Sequence, residues 1–173
     1  MKNMIATNTL KSTDGFFKIS LKINGENKNF KVKSNEFLLD ALRRHGYKGA
    51  KKGCDSGDCG SCAIIFNGKP VLACMMPAVT AHGGDIETIE GIGTIEKPHP
   101  IQEAYVEAGA VQCGYCTPGM IVVTKHLLEK KSSPSEEEIK KELDGNLCRC
   151  TGYVTQIKAV KIAAKKMKKK SKK

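Results

Sequence analysis

Eight cysteines in two groups of four constrain the fold of this 173-residue chain more than any other feature of its sequence. The first group has the spacing C-x4-C-x2-C-x11-C and consists of Cys54, Cys59, Cys62 and Cys74. The second group has the spacing C-x2-C-x31-C-x-C and consists of Cys113, Cys116, Cys148 and Cys150. The opening sequence MKNMIATNTLKSTDG lacks the apolar core of a signal peptide, so we expect a cytoplasmic location. In that reducing compartment, clustered cysteines are more often metal ligands than disulfides.

The first group predicts a 2Fe-2S cluster. Its first three cysteines match the spacing of plant-type ferredoxins, although the fourth comes sooner than in those proteins. Thiolates suit iron because they are soft anionic donors, and four of them hold both irons of such a cluster. Glycines interleave with the cysteines at Gly53, Gly57 and Gly60. They are either ordinary turn residues or the residues that allow backbone N–H groups to approach a buried anionic cluster, and their density favours the cluster.

The second group has two candidate occupants, because four thiolates suit tetrahedral zinc as well as a second 2Fe-2S cluster. Zinc is usually held by two C-x2-C knuckles, and the C-x-C pair in this chain is unusual for it. A Rieske-type site is not expected, since every histidine lies more than seven residues from any cysteine. No cysteine stands alone near a histidine, so we assign no catalytic residue to this chain.

The first half of the chain has the period of a sheet. The segment FFKISLKI alternates apolar and polar residues, and Asn24-Gly25 then predicts a tight hairpin into a second strand near residues 29–32. EFLLDALRRHG predicts a short helix, CAIIF and KPVLAC predict a second hairpin, and DIETI predicts a further strand. Together they predict a small α+β domain over residues 14–92, ended by a linker GIGTIEKPHP.

The second half has a helical period. Apolar residues recur at intervals of three and four from Ile101, and Thr117-Pro118 is a good helix start. The sequence SPSE at 133–136 predicts a capping box with proline at the first helical position, and a last apolar stripe follows Tyr153. These patterns predict an all-α domain of four short helices over residues 98–164, with the second cysteine group in the connections between them.

Three long motifs resemble a known family. GCDSGDCGSC, then IEGIG leading to HPIQEAYVEAGAVQCGYCTPGM, and then NLCRCTGY are similar to the small, two-cluster subunit of the xanthine dehydrogenase, aldehyde oxidase and carbon monoxide dehydrogenase family of molybdenum hydroxylases. The resemblance covers roughly residues 17–163. One departure is Gln156, which stands where an isoleucine is common, and this puts the packing of the last helix in doubt.

The resemblance implies a β-grasp ferredoxin-like domain with the first four cysteines as ligands, followed by a four-helix domain with the second four. It implies a heteromeric complex with a large molybdopterin-binding subunit and a medium FAD-binding subunit. Gln112 and Cys150 would face the molybdopterin, although Gln112 could also be a loop residue that caps a helix. This chain would then relay electrons from molybdenum through two 2Fe-2S clusters to the flavin or another acceptor.

The charge of the chain lies mainly at its end. The net charge is +11, and the nine lysines among residues 158–173 leave +2 for the rest. We interpret residues 165–173 as a solvated lysine-rich tail, so nucleic acid is not an expected partner. No stretch approaches the roughly 18 apolar residues of a membrane span.

Two other functions stay open from the residues alone. One is a free-standing ferredoxin, which would need only the first half of the chain. The other is a zinc-stabilised binding module with a basic tail, which colour would distinguish from an iron–sulfur protein.

Overall fold

In the computed structural model, residues 12–13 and 15–170 are described, with side chains over residues 15–168. Residues 1–11, on which the expectation of a missing signal peptide depends, lie outside the described residues. The same holds for residues 171–173 of the predicted tail. None of the helices within the described ranges is long and apolar enough to cross a membrane.

The first half of the chain forms one mixed sheet. The strands of its described part are β1 (Ser12–Thr13), β2 (Phe16–Ile23), β3 (Glu26–Lys33), β4 (Ala63–Phe66), β5 (Lys69–Leu72) and β6 (Asp85–Glu87). The sheet has the order β3-β2-β6-β4-β5, with β1 paired to the start of β2. The β2–β6 pair is parallel and its neighbours are antiparallel, so a strand from late in the chain is inserted beside the first hairpin. This topology confirms the predicted β-grasp fold.

Both predicted hairpins are present, and their turns explain why. Asn24 and Gly25 have φ of 51° and 87°, and Asn67 and Gly68 have φ of 49° and 76°. Positive φ at both central residues defines a type I′ turn, whose twist matches that of the flanking strands. The strands of the second hairpin place Ala63 opposite Leu72. Cys62 and Cys74, which lie just beyond this pair, therefore come close together.

The helices follow the predicted order with local differences. They are α1 (Leu38–Arg44), α2 (Ile89–Ile92), α3 (Pro100–Glu107), α4 (Thr117–Lys130), α5 (Glu136–Leu143) and α6 (Val154–Lys170), with short 3-10 turns at Ala73–Met75 and Ala78–Ala81. The predicted strand DIETI is shorter than expected, because α2 begins at Ile89. The predicted linker is also wrong at its start, since Ile92 belongs to α2 and is buried in the helical core.

The capping box of α5 is displaced from its predicted position. Ser135 is the N-cap, and its hydroxyl accepts a hydrogen bond from Glu138 N while Glu138 Oε2 accepts one from Ser135 N. Pro134 thus precedes the cap instead of occupying the first helical position. The sequence SPSEEE offers two overlapping Ser-x-x-Glu frames, and the second starts the helix two residues nearer its apolar residues Ile139 and Leu143.

The last helix continues past the predicted start of the tail. Lys166 forms ion pairs with Glu103 (3.3 Å) and Glu107 (2.9 Å) of α3, and Met167 packs against the helical core. Glu136 of α5 accepts hydrogen bonds from Lys140 and from Lys161 of α6, which lower its pKa to about 2. Part of the basic segment is therefore structural and not simply solvated.

Two cores meet at β4. One core lies between the sheet and α1 and includes Ile19, Leu39 and Ile64, and the other lies among the helices. Ala63 and Ile65 alternate with Ile64 along β4 and belong to the helical core. Because successive side chains of a strand point to opposite faces, β4 is covered on both sides. The two halves are thus packed against each other across this strand.

Candidate metal centres

The first four cysteines converge at one end of the sheet. Cys54, Cys59 and Cys62 lie in the loop between α1 and β4, and Cys74 lies in the 3-10 turn after β5. The Sγ atoms of Cys62 and Cys74 are 3.3 Å apart, and Cys59 N donates a hydrogen bond to Cys54 Sγ at 3.4 Å. A tetrahedral metal with metal–sulfur bonds of about 2.3 Å would separate two sulfur ligands by about 3.8 Å. The Cys62–Cys74 pair is therefore close to the spacing of two ligands on one iron.

The glycines of this loop allow it to fold tightly around the thiols. A Cβ on Gly53 would lie 2.8 Å from Cys59 Sγ, closer than real Cβ contacts. Gly57 and Gly60 have φ of 85° and 69°, a conformation that disfavours other residues. The close approach of Gly53 to a thiol favours the cluster-loop interpretation, whereas the left-handed backbone of Gly57 and Gly60 fits both interpretations.

The second four cysteines converge where two connections between helices come together. Cys113 and Cys116 lie between α3 and α4, with Cys116 as the N-cap of α4, while Cys148 and Cys150 lie between α5 and α6. The Sγ atoms of Cys113 and Cys150 are 3.5 Å apart. The 31 residues between the second and third cysteines form α4 and α5, which return the chain to the starting point.

In each group one pair of thiols lies close together, Cys62 with Cys74 and Cys113 with Cys150. Among the described residues, no three or more Cys, His, Asp or Glu side chains are grouped as the ligands of one metal ion. Pairs are what a 2Fe-2S cluster requires, because four cysteines are shared between two irons. The donor chemistry and the pairing thus both fit two such clusters.

The thiols differ in their tendency to ionise. Burial raises the pKa of Cys62 and that of Cys116 to about 12 each. Hydrogen bonds from the backbone N–H groups of Ser56 and Cys59 lower the pKa of Cys54 to about 6. Cluster ligands are thiolates, so the buried members of each group must lose a proton when iron binds.

The predictions did not identify a polar network that surrounds Cys148. Gln156 on α6 is fully buried, and its Nε2 donates a hydrogen bond to Cys148 Sγ at 3.6 Å. The Thr151 hydroxyl donates to Gln156 Oε1 at 2.7 Å and lies 3.2 Å from the same sulfur. Burial opposes ionisation of Cys148, but the contact with the Thr151 side chain and hydrogen bonds from the backbone N–H groups of Cys150 and Thr151 outweigh it and lower the pKa to about 7. The signal in the sequence was a glutamine on the buried face of a helix, in register with Ala159 and Val160.

The predicted cofactor-facing residues lie on an exposed surface. Cys113 and Cys150 are both exposed, and Gln112 beside them is exposed as well. Gln112 does not cap the following helix, since the N-cap of α4 is Cys116. Its contact with a cofactor stays a prediction.

Comparison with known families agrees with this geometry. Residues 21–79 match the model of the 2Fe-2S iron-sulfur cluster binding domain, and residues 88–161 match that of the 2Fe-2S binding domain. The chain is therefore a two-domain iron–sulfur protein with two 2Fe-2S clusters, as predicted. The zinc-module alternative is not supported.

The relatives identify the family. The chain is 48% identical over 149 residues to the small FeS subunit of nicotinate dehydrogenase from Eubacterium barkeri, covering 86% of this chain and 95% of the relative. It is 36% identical over 166 residues to the aldehyde oxidoreductase iron-sulfur-binding subunit of Escherichia coli K12, covering 87% of this chain and 72% of the relative. The chain thus belongs to the small iron–sulfur subunits of the molybdenum hydroxylases, a family of oxidoreductases.

Solved structures have the same fold. Quinoline 2-oxidoreductase from Pseudomonas putida 86 superposes with a TM-score of 0.86 and 40% identity, over 90% of this chain and 98% of that chain. The aldehyde oxidoreductase from Desulfovibrio gigas superposes with a TM-score of 0.84 and 41% identity, over 88% of this chain but 17% of that chain. The same unit is thus a separate chain in some enzymes and a segment of a longer chain in others.

Proposed function

We propose that this chain relays electrons from a molybdopterin site on a large partner subunit, through its two clusters, to FAD on a medium subunit or to another acceptor. A bound 2Fe-2S cluster supplies a one-electron redox centre. This chain would contribute no catalytic residue, and the substrate would be set by the partner. The names of the relatives support the proposal, because nicotinate dehydrogenase and aldehyde oxidoreductase are redox enzymes built with such subunits.

The eight cysteines have the role of ligands in this proposal. Cys54, Cys59, Cys62 and Cys74 hold the cluster of the β-grasp domain, and Cys113, Cys116, Cys148 and Cys150 hold that of the helical domain. Gln112 and Cys150 face the molybdopterin. The domain limits at residues 14–92 and 98–164, the cytoplasmic location and the hetero-oligomeric assembly remain predictions.

One hydrogen bond between the two cysteine groups is the main support for the relay. Leu147 N donates a hydrogen bond to Cys59 O at 2.9 Å, and Cys148 is the next residue after Leu147. A proposed ligand of one cluster is therefore joined to the neighbour of a proposed ligand of the other by one hydrogen bond. Such a contact keeps the two ligand groups close together, as a relay between two clusters requires, and a free-standing ferredoxin consisting of the first domain alone would lack it.

Each cysteine group has at least one exposed thiol, through which electrons could enter or leave the chain. In the helical group Cys113 and Cys150 are exposed, and in the β-grasp group Cys54 is exposed. The remaining cysteines are buried or half-buried. Electrons from the partner would enter at the helical group and leave at the Cys54 group.

The metal content tests the first half of the proposal. We expect about four irons and about four acid-labile sulfides per chain, because the eight cysteines divide into two sets of four. Stoichiometric zinc, or about two irons in fully reconstituted protein, would contradict it.

The order of the relay is tested by Cys59→Ser in the assembled complex, with Cys150→Ser as the mirror variant. We call the β-grasp cluster the outer cluster and the helical-domain cluster, nearer the proposed molybdopterin site, the inner cluster. Cys59→Ser should remove the electron paramagnetic resonance signal of the outer cluster. Substrate added anaerobically should still reduce the inner cluster, while turnover with the acceptor collapses. Cys150→Ser should block reduction of both clusters by substrate. Normal turnover of a Cys59→Ser complex that lacks the outer-cluster signal would refute a relay in series.

A further inference from the structure

Three segments of the chain meet around Asn146, between the two cysteine groups. The side chain of Asn146 is 3% exposed, and its Nδ2 donates a hydrogen bond to Gly60 O at 2.9 Å. Asn146 N donates to Leu143 O, which holds this segment to the end of α5. Gly119, in the first turn of α4, packs against the same hydrogen bond. The amide of Asn146 is therefore enclosed by the β-grasp loop on one side and by α4 on the other.

The two glycines allow a backbone approach that no other residue would permit. A Cβ on Gly119 would lie 2.6 Å from Gly60 O and 3.0 Å from Asn146 Nδ2. A Cβ on Gly60 would collide with Gly145 O and lie 2.8 Å from Asn146 Cα. In addition, Gly60 has φ of 69°. The domains are thus in contact through main-chain atoms at this point.

Proposed ligands of both clusters flank this contact. Gly60 follows Cys59, Asn146 precedes Cys148 by two residues, and Gly119 follows Cys116 by three. A displacement at the contact therefore moves the two ligand groups relative to each other.

We propose that Asn146, Gly60 and Gly119 form a spacer that sets the separation of the two clusters and thereby the rate of electron transfer between them. The inference rests on the proposed function, since the separation matters only if electrons pass between the clusters. Electron transfer through protein falls steeply with distance, so a small widening of this contact is felt in the rate. The three are positioning residues, because they act through the cysteines that they hold apart.

Gly119→Ala is the sharpest perturbation. A Cβ placed on Gly119 would lie 2.6 Å from Gly60 O, whereas ordinary van der Waals contact begins at 3.4 Å. The two atoms must therefore move apart by about 0.8 Å. Alanine favours a helix more than glycine does, so α4 itself is not weakened. Gly145→Ala is the matched control, because a Cβ there meets no atom of the described residues within 4 Å and its φ is not in the left-handed region.

The readouts are the magnetic coupling between the two reduced clusters, seen as splitting in electron paramagnetic resonance, and the rate of intercluster transfer after flash reduction. We expect Gly119→Ala to keep its iron and sulfide, to show weaker coupling, and to transfer electrons several-fold more slowly, because the electron-transfer rate falls exponentially with the distance between the clusters. Gly145→Ala should match the wild type. Equal coupling and equal rates in the two variants would overturn the proposal.

A purely structural role has a different signature. It would lower iron content and thermal stability, while molecules that retain both clusters would keep normal coupling. If Gly119→Ala fails to assemble its clusters, Asn146→Ala provides the test, since it removes the hydrogen bond to Gly60 O without inserting a wedge. Weaker coupling is again expected, and wild-type coupling would refute the spacer. Absence of intercluster transfer in the wild-type chain would instead refute the proposed relay.

Discussion

The contact between α3 and α4 positions the loop that bears Cys113 and Cys116, and it contains a buried hydrogen bond between two side chains. Tyr105 on α3 is 1% exposed, and its hydroxyl lies 3.0 Å from Thr124 Oγ1 on α4. Burial raises the pKa of Tyr105 well above its usual value, so the group stays a neutral hydroxyl. We predict that Tyr105 and Thr124 are energetically coupled, and that removing either partner alone destabilises the protein.

The magnitudes follow from what each substitution leaves behind. After Thr124→Val, the Tyr105 hydroxyl has only Met120 O at 3.5 Å, the limit of a hydrogen bond, so we expect a loss of about 1 to 3 kcal/mol. After Tyr105→Phe, the Thr124 hydroxyl can turn to a carbonyl of its own helix, so the loss should be nearer about 1 kcal/mol. The double variant replaces both polar groups by apolar ones of the same shape. Its loss of unfolding free energy should be smaller than the sum of the losses of the two single variants, and the difference, the coupling energy between the two side chains, should be about 1 kcal/mol.

Thermal unfolding of the cluster-loaded chain, at one scan rate for all variants, measures these effects. For a chain of this size, about 1 kcal/mol corresponds to a shift in Tm of about 2 to 4 °C. Tyr115→Phe is the control, because its hydroxyl also bonds a carbonyl, Lys52 O at 2.7 Å, but the side chain is 47% exposed. Its Tm should change by less than about 2 °C. If the two single shifts simply add in the double variant, the hydrogen bond does not stabilise this contact.

Three further predictions concern the last two helices. Gln156→Leu removes an N–H group that donates to Cys148 Sγ, so it should lower the reduction potential of the helical-domain cluster relative to the wild type and to a Gln112→Leu control. A redox titration that gives the wild-type potential would contradict this. Glu136→Gln should lower Tm at pH 7, and its difference from the wild type should shrink as the pH falls from 4.5 toward 2. The reason is that the folded-state pKa of Glu136 is depressed from 4.5 to about 2, so its stabilisation is lost over that window. A difference in Tm that does not depend on pH would refute the ion-pair account. Truncation after Ala164 should keep both clusters but lower Tm, because it removes Lys166 and its ion pairs with α3. Truncation after Lys168 keeps those ion pairs and should leave Tm unchanged. Equal Tm values for the two truncated chains would show that the basic segment is only solvated.

Local features of the fold were predictable because a few adjacent residues encode them. Asn24-Gly25 and Asn67-Gly68 favour type I′ turns in any hairpin, and the proline after Thr117 favours a helix start. The cap of α5 shows the limit of this reasoning. Two overlapping frames satisfied the same local rule, and the choice between them depended on which one brought Ile139 and Leu143 onto the core.

The sequence by itself determined the two cysteine groups, the change from strand to helix period, and the chemistry of the ligands, since spacing, periodicity and donor type are properties of neighbouring residues. Only the tertiary structure decided how the groups are related. The parallel β2–β6 pair, the hydrogen bond from Asn146 to Gly60, and the burial of Gln156 against Cys148 depend on how the packed elements meet. The first two of these contacts join residues more than 60 positions apart. They form because the two cores pack against both faces of β4 and exclude water. This packing depends on many residues together, so no local sequence pattern predicts it.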